Sequence, residues 1–227
     1  MLNQIKKKII NKKIKIGIIG LGYVGLPLAE AFSRTFPVVG YDLNNLRIKQ
    51  LRSGIDLNLI IRKKKKFNSK IFFTNHLSNL EKCEILIITV PTPVKKNKSP
   101  ELSFLNTAID NLIKLDLKNK IIILESTIFP TLSNKYIKKI SKIKKLKINK
   151  DFIFAYSPER INPGDNIKKI HNIDKIVSAT NKKAAYVIKD LYKNIIKRVH
   201  ISEKLEESEM AKIIENSQRD INIGFIN

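Results

Sequence analysis

The sequence holds one cysteine, Cys83, no tryptophan, and aromatic residues at only 7%. A single thiol cannot close a disulfide within the chain, which fits a reducing, cytoplasmic setting. Few aromatics and no Trp leave little on which exposed bases could stack. Long apolar runs are missing as well. None approaches the roughly 18 residues that a membrane span requires, so no membrane association is expected. The opening MLNQIKKKIINKKIK has neither an extended apolar stretch nor a small-residue cleavage site, and it does not read as a signal peptide. Residues 1–13 are read as a basic lead-in, at most a frayed turn. His76 and His200 show no metal-ligand spacing with Cys or acids, so no metal site is expected.

Acid is the scarcer charge, with 20 Asp and Glu against 44 Lys and Arg and a net charge of +24. Taken alone, that balance suggests nucleic acid or an anionic surface. The lysines, however, are scattered and accompanied by many Ile and Asn, as a coding bias towards A and T would produce. The densest clusters, Lys63–Lys66 and Lys138 to Lys150, are read as solvated loop or helix faces. No nucleic-acid partner is therefore expected. What the chain has in quantity is apolar residues, 43% of 227 positions, enough to bury a core.

Those residues organise around IKIGIIGLGYVGLPLAEA, Ile14 to Ala31. A β-branched run leads into Gly20, Gly22 and Gly25, spaced G-x-G-x-x-G, and a helix pattern follows. In that context Gly20 permits a sharp turn, Gly22 admits a pyrophosphate to the backbone, and Gly25 lets helix and strand pack closely. The N–H groups of Tyr23 and Val24 lie at the helix start, where free donors and the helix dipole favour phosphate. Asp42 stands 22 positions after Gly20, at the end of the run Val38–Tyr41. A carboxylate there accepts from ribose hydroxyls and repels a 2′-phosphate, which favours NAD over NADP. Arg47, six residues past that run, is either beside the adenosine or a surface helix charge.

Further along, apolar strand patterns at 70–74, 84–90, 120–125, 152–156, 175–178 and 198–201 alternate with helix patterns at 24–34, 44–53, 76–83, 102–115, 131–143 and 182–193. Asn75 or Ser78 is the expected cap of the 76–83 helix. From about Glu203 the chain reads as one long helix. This alternation predicts an α/β fold, a doubly wound parallel sheet of Rossmann-like type. In such sheets ligands sit at the carboxyl ends of the strands. The unusual stretches all fall there: the glycine turn, Asp42, Val90-Pro91-Thr92-Pro93, Glu125-Ser126-Thr127 and Ser157-Pro158-Glu159-Arg160. They are expected to gather along one edge. Cys83 precedes its strand and so belongs at the opposite edge, as a buried structural thiol.

These residues resemble the UDP-glucose/GDP-mannose dehydrogenase family, the nucleotide-sugar 6-dehydrogenases. GLGYVGLPLA, VPTP, Glu125-Ser126-Thr127-x-x-Pro130 and YSPERINPGD all match, the last in the manner of the branch that oxidises UDP-N-acetylglucosamine or UDP-N-acetylgalactosamine. Glu209-x-x-Lys212-x-x-x-Asn216-x-x-Arg219-Asp220 matches as well. The resemblance spans residues 14–227. It implies NAD-dependent double oxidation of a sugar C6 alcohol to the acid through a cysteine-bound intermediate, as a step towards cell-surface polysaccharide. It also implies roles. Thr127 lies near the nicotinamide and helps place water, and Glu159 is the acid/base carboxylate. Lys212 stabilises an oxyanion, and Asn216 positions water with it. Arg160 and Arg219 contact the sugar nucleotide, while Pro91 and Thr92 line the cofactor site. Positions 212 and 216 are i and i+4, so both side chains leave one helix face, a fair geometry for an oxyanion clamp. His171, after NPGD, is read as an exposed loop histidine.

One departure stands out. The family's nucleophilic cysteine lies in a G-G-H-C loop beyond the long helix, and this sequence ends at Asn227, within that helix. The expected organisation is an NAD-binding domain at 14–201 and the start of a central dimerisation helix at 202–227, without the UDP-binding domain. On that reading the chain is inactive alone, whether as a fragment, a natural truncation, a non-catalytic NAD-binding remnant or half of a split enzyme.

Overall fold

The computed structural model describes residues 1–57, 66–159 and 172–227. Their centre is an eight-stranded sheet in the order β3-β2-β1-β4-β5-β6-β7-β8. The strands are β1 (Ile16–Ile19), β2 (Val38–Tyr41), β3 (Ile71–Thr74), β4 (Ile85–Ile88), β5 (Ile121–Leu124), β6 (Ile153–Tyr156), β7 (Lys175–Ala179) and β8 (Val199–Ile201). The helices are α1 (Leu2–Ile10), α2 (Gly25–Ser33), α3 (Asn45–Arg52), α4 (Ser103–Lys114), α5 (Leu132–Lys144), α6 (Lys182–Tyr192) and α7 (Leu205–Ile226). The middle strands β1, β4, β5 and β6 are buried at every position. A strand covered on both faces can be apolar throughout, as IGII, ILII, IIIL and IFAY are. One core gathers Ile16, Ile18, Ile85, Ile121 and Phe32 on one face of the sheet. The other gathers Leu86, Ile88, Ile122, Leu124 and Tyr136 on the opposite face. Alternate residues of each strand go to alternate cores.

Three expectations from the sequence are corrected. Residues 1–13 are not a frayed lead-in. Leu2–Ile10 is a helix, α1, whose Ile5 and Ile9 are buried in the first core. The lysines around them occupy its solvent side, and Lys8 bridges to Glu84. The sheet is also not wholly parallel. Strands β1 to β6 pair in parallel, but β7 runs antiparallel to β6, with Ala155 opposite Ala179. Period-two patterning does not encode strand direction, and an antiparallel edge on a parallel sheet is a common arrangement. Finally, the 76–83 segment is only a 3-10 turn, Leu77–Leu80, capped by His76 without a side-chain bond.

The reversal at β7 decides where the long helix goes. β8 pairs in parallel with β7, so both leave the sheet at the edge opposite the other carboxyl ends. The chain therefore starts α7 at that far edge and climbs back. At about 1.5 Å per residue, the rise from Leu205 carries Lys212 and Asn216 up to the carboxyl edge. Buried Glu209 fixes the path. Its carboxylate accepts from the backbone N–H groups of Thr131 at 2.6 Å and Ser133 at 3.0 Å, at the amino end of α5. Those are among the donors a helix start leaves unpaired, and Thr131 sits in the left-handed region with φ 74°.

Candidate active site

The glycine turn joins β1 to α2, and each glycine is accounted for by what surrounds it. Gly20 has φ +93°, a conformation that side-chain-bearing residues rarely adopt. A Cβ on Gly25 would lie 1.8 Å from the Gly20 carbonyl oxygen, so only glycine lets α2 seat against the turn. A Cβ on Gly22 would meet nothing within 4 Å. Space opens directly above it, as a backbone cradle for a phosphate requires. From the other side, Thr89 Oγ1 donates to the Gly20 carbonyl at 2.8 Å.

Gly22 separates two cavities and lines both. The first, about 540 Å³, is walled by Gly20, Asp42, Asn44, Arg47 and Pro91. Asp42 there holds the turn itself. Its Oδ2 accepts from the Leu21 N–H at 2.8 Å and its Oδ1 from the Asn44 N–H at 2.9 Å. Each oxygen retains a second lone pair for a ribose hydroxyl. Arg47 is buried, which excludes a surface helix charge. Its Nε donates to the Leu21 carbonyl at 3.0 Å and its Nη1 to Asp56 at 2.7 Å. The guanidinium thus braces the turn while lining the cavity.

The second cavity, about 600 Å³, opens on the other side of Gly22. Tyr23 and Val24 come from the turn, Pro91 and Thr92 from beyond β4, and Thr127 from beyond β5. Glu159 comes from beyond β6, and Lys212 and Asn216 from α7. The loops are tied together. Thr92 Oγ1 donates to the Thr127 carbonyl at 2.7 Å, and Ser126 Oγ donates to the Val90 carbonyl at 2.6 Å. The described strand-end features expected from the sequence therefore do gather along one edge, around two cavities that share Gly22, Val90 and Pro91. Arg219 is not among the lining residues. It lies farther along α7 and pairs with Glu215 at 3.7 Å. Arg160 and His171 fall outside the described residues.

Cys83 stands at the opposite edge, fully buried, and its carbonyl accepts from Lys120 Nζ at 2.7 Å. Burial pushes its thiol up to about 12, so it offers no thiolate at neutral pH. Among the described residues no group of three His, Cys, Asp or Glu side chains is placed to hold a metal. No helix among them is long and apolar enough to cross a membrane.

Several lining residues went unnoticed in the sequence. Ser103, Thr107 and Asn111 of α4 wall the first cavity. They recur every four residues, opposite buried Leu105, Ile109 and Leu112. That stripe of small polar side chains was the available signal. Glu125 lines the second cavity, and Glu209 seats α7; both were visible only as letters in motifs.

The sequence profile described as UDP-glucose/GDP-mannose dehydrogenase family, NAD binding domain, matches residues 14–196. The chain belongs to this family. It is 41% identical to the UDP-N-acetyl-D-glucosamine 6-dehydrogenase of Pseudomonas aeruginosa, over 95% of this chain and 52% of that protein. Against the enzyme of the same name from Salmonella typhi it is 38% identical, over 95% of this chain and 51% of that one. Among solved structures, the UDP-D-ManNAc dehydrogenase of Pyrococcus horikoshii superposes with a TM-score of 0.85 at 31% identity, covering 93% of this chain and 52% of that one. The chain thus spans about half the length of the relatives it matches. The matched profile is an NAD-binding domain, and the open space at Gly22 is compatible with a dinucleotide phosphate there. The residues that would hold NAD are the turn N–H groups, Asp42, and the loops carrying Pro91, Thr92 and Thr127.

Proposed function

We propose that this chain is the dinucleotide half of an NAD-dependent nucleotide-sugar dehydrogenase that oxidises the C6 alcohol of a UDP-N-acetylhexosamine towards the uronic acid, for cell-surface polysaccharide. The observation that carries the reading is that Thr127, Glu159, Lys212 and Asn216 share the second cavity with the glycine turn. When bound, NAD supplies the hydride acceptor. The chain's own residues do the rest of what this half can do. Asp42 fixes the adenosine end, which leaves the nicotinamide end to the cavity beyond Gly22. Glu159, 8% exposed at its rim, moves the proton of the alcohol and of water. Lys212 and Asn216 offer a cation and an amide from one helix face to a developing oxyanion. Thr127 helps hold the water. Arg160 is assigned to the sugar nucleotide on the family resemblance alone, whereas Arg219, outside the cavity lining, is given no contact with it.

Cys83 is at the wrong edge and in the wrong protonation state to serve as nucleophile. The thiol and the UDP-binding domain are assigned to the part of the relatives' length that this chain does not span. Residues 14–201 are read as the NAD-binding domain and 202–227 as the start of a central helix through which two copies pair, in the cytoplasm. The test is calorimetric titration of NAD into the chain and into Gly22→Val and Asp42→Ala. Affinity should fall at least about tenfold in both; unchanged affinity in both overturns the reading. Incubation of the chain alone with UDP-N-acetylglucosamine and NAD should give no NADH absorbance.

A further inference from the structure

Beneath the second cavity lies a buried cluster of ionisable side chains that the chemistry above does not use. Glu125 follows β5 and is fully buried in the cavity wall. Lys175, at the start of β7, donates Nζ to Glu125 Oε2 at 2.9 Å. The Tyr192 hydroxyl of α6 donates to Oε1. The same ammonium lies 4.9 Å from the centroid of the Tyr192 ring. β6 lies between β5 and β7, so the ion pair bridges over its end, which only the reversed direction of β7 allows. The other ionisable groups facing Glu125 are Tyr156 at the end of β6, Glu159 just beyond it, and Lys212, which lines the cavity from α7. Burial is the main cause that pushes the Glu125 carboxyl up, to about 7, and the Glu159 charge acts in the same direction. Lys175 and the Tyr192 hydroxyl hold it down without cancelling those effects. Burial raises both tyrosine hydroxyls as well, so they stay protonated.

The two forms of NAD differ by one charge at the ring: the oxidised nicotinamide is a pyridinium cation and the reduced ring is neutral. We propose that the Glu125–Lys175–Tyr192 cluster reads this charge, so that binding of oxidised NAD releases a proton from Glu125 to solvent whereas binding of the reduced form does not. The inference rests on the dinucleotide reading of the preceding section. A cation in the cavity favours the ionised carboxylate of its wall. The proton leaves to water and no electron moves. Reciprocity then makes the preference for the oxidised form rise with pH through the neutral range. The gain is about tenfold for each unit by which the pyridinium lowers the carboxyl's pKa.

The test is calorimetric titration of the chain with NAD and with NADH at pH 7, in two buffers of different ionisation enthalpy. Net proton release on binding NAD and close to none on binding NADH supports the proposal. Glu125→Gln should abolish the release. If burying Lys175 without its partner prevents that variant from folding, Tyr192→Phe serves instead. It removes the hydroxyl that holds the carboxyl down, so the midpoint of proton release against pH should move upward. Equal release for both forms, release retained in Glu125→Gln, or an unmoved midpoint in Tyr192→Phe overturns the proposal. Absence of binding by either form overturns the dinucleotide reading instead.

Discussion

Two glycines three residues apart make opposite demands, and substitution separates them. At Gly25 an alanine Cβ would sit 1.8 Å from a backbone oxygen and 2.4 Å from Thr89 Oγ1. Neither α2 nor the turn can yield without breaking the contact that positions both. Gly25→Ala should therefore cost at least about 3 kcal/mol, lowering the melting temperature by several degrees in a thermal scan. At Gly22 the added methyl meets nothing. Gly22→Ala should melt within a degree or two of the parent yet lose NAD affinity about tenfold or more by calorimetry, because the methyl fills the phosphate cradle. The three glycines and Asp42 were legible in the sequence because their spacing is local. The second duty of Asp42, holding the Leu21 N–H, was not, and neither was the burial of Arg47. Those depend on how β1, β2 and α3 converge, and no spacing rule reports it. The pH response of Glu125 belongs at this scale too. Its folded pKa lies above the ordinary glutamate value, so between about pH 4.5 and pH 7 the folded chain binds more protons than the unfolded one. The group's contribution to stability is present at the acid end of that window and lost as the pH rises through 7. Urea midpoints measured across the window should show that loss, and Glu125→Gln should remove it.

Among the elements, α7 carries the inference from pattern to position. Its E-x-x-K-x-x-x-N spacing predicts that Lys212 and Asn216 share a face, which the cavity lining agrees with. It does not predict where that face lies. That follows from the antiparallel β7 and from Glu209, which holds two N–H donors at the start of α5. Glu209→Ala leaves those donors buried without an acceptor and should cost about 3 kcal/mol. It should also loosen α7, read as faster amide hydrogen exchange over 205–216 than in the parent. The other end of the chain teaches the converse. Leu2, Ile5 and Ile9 already had helical spacing, but lysines around them masked it. Ile5 and Ile9 are each 3% exposed, so either truncation to alanine should cost about 2 to 4 kcal/mol, measured by denaturant unfolding. A true lead-in would tolerate both.

At the scale of the whole molecule, two surface properties act against each other. The net charge of +24 makes any two copies repel. Yet the outer half of α7 exposes Ile221, Ile223, Phe225 and Ile226, at 70%, 52%, 91% and 83%. Apolar side chains so exposed along a single helix favour burial against another surface, and the pairing of two copies proposed above would use them. Salt then distinguishes self-association from nucleic-acid binding. Screening removes the repulsion between two like-charged copies but leaves apolar burial intact, so the dimer fraction should rise from low to high salt. Contacts between lysines and phosphates behave in the opposite way and weaken steeply as salt rises. Sedimentation velocity across that range should therefore show a growing dimer, reversed by Ile221→Glu with Phe225→Glu. Retention on DNA over the same range should fall away. A dimer that dissolves with salt would locate the association in the charges and remove α7 from the interface.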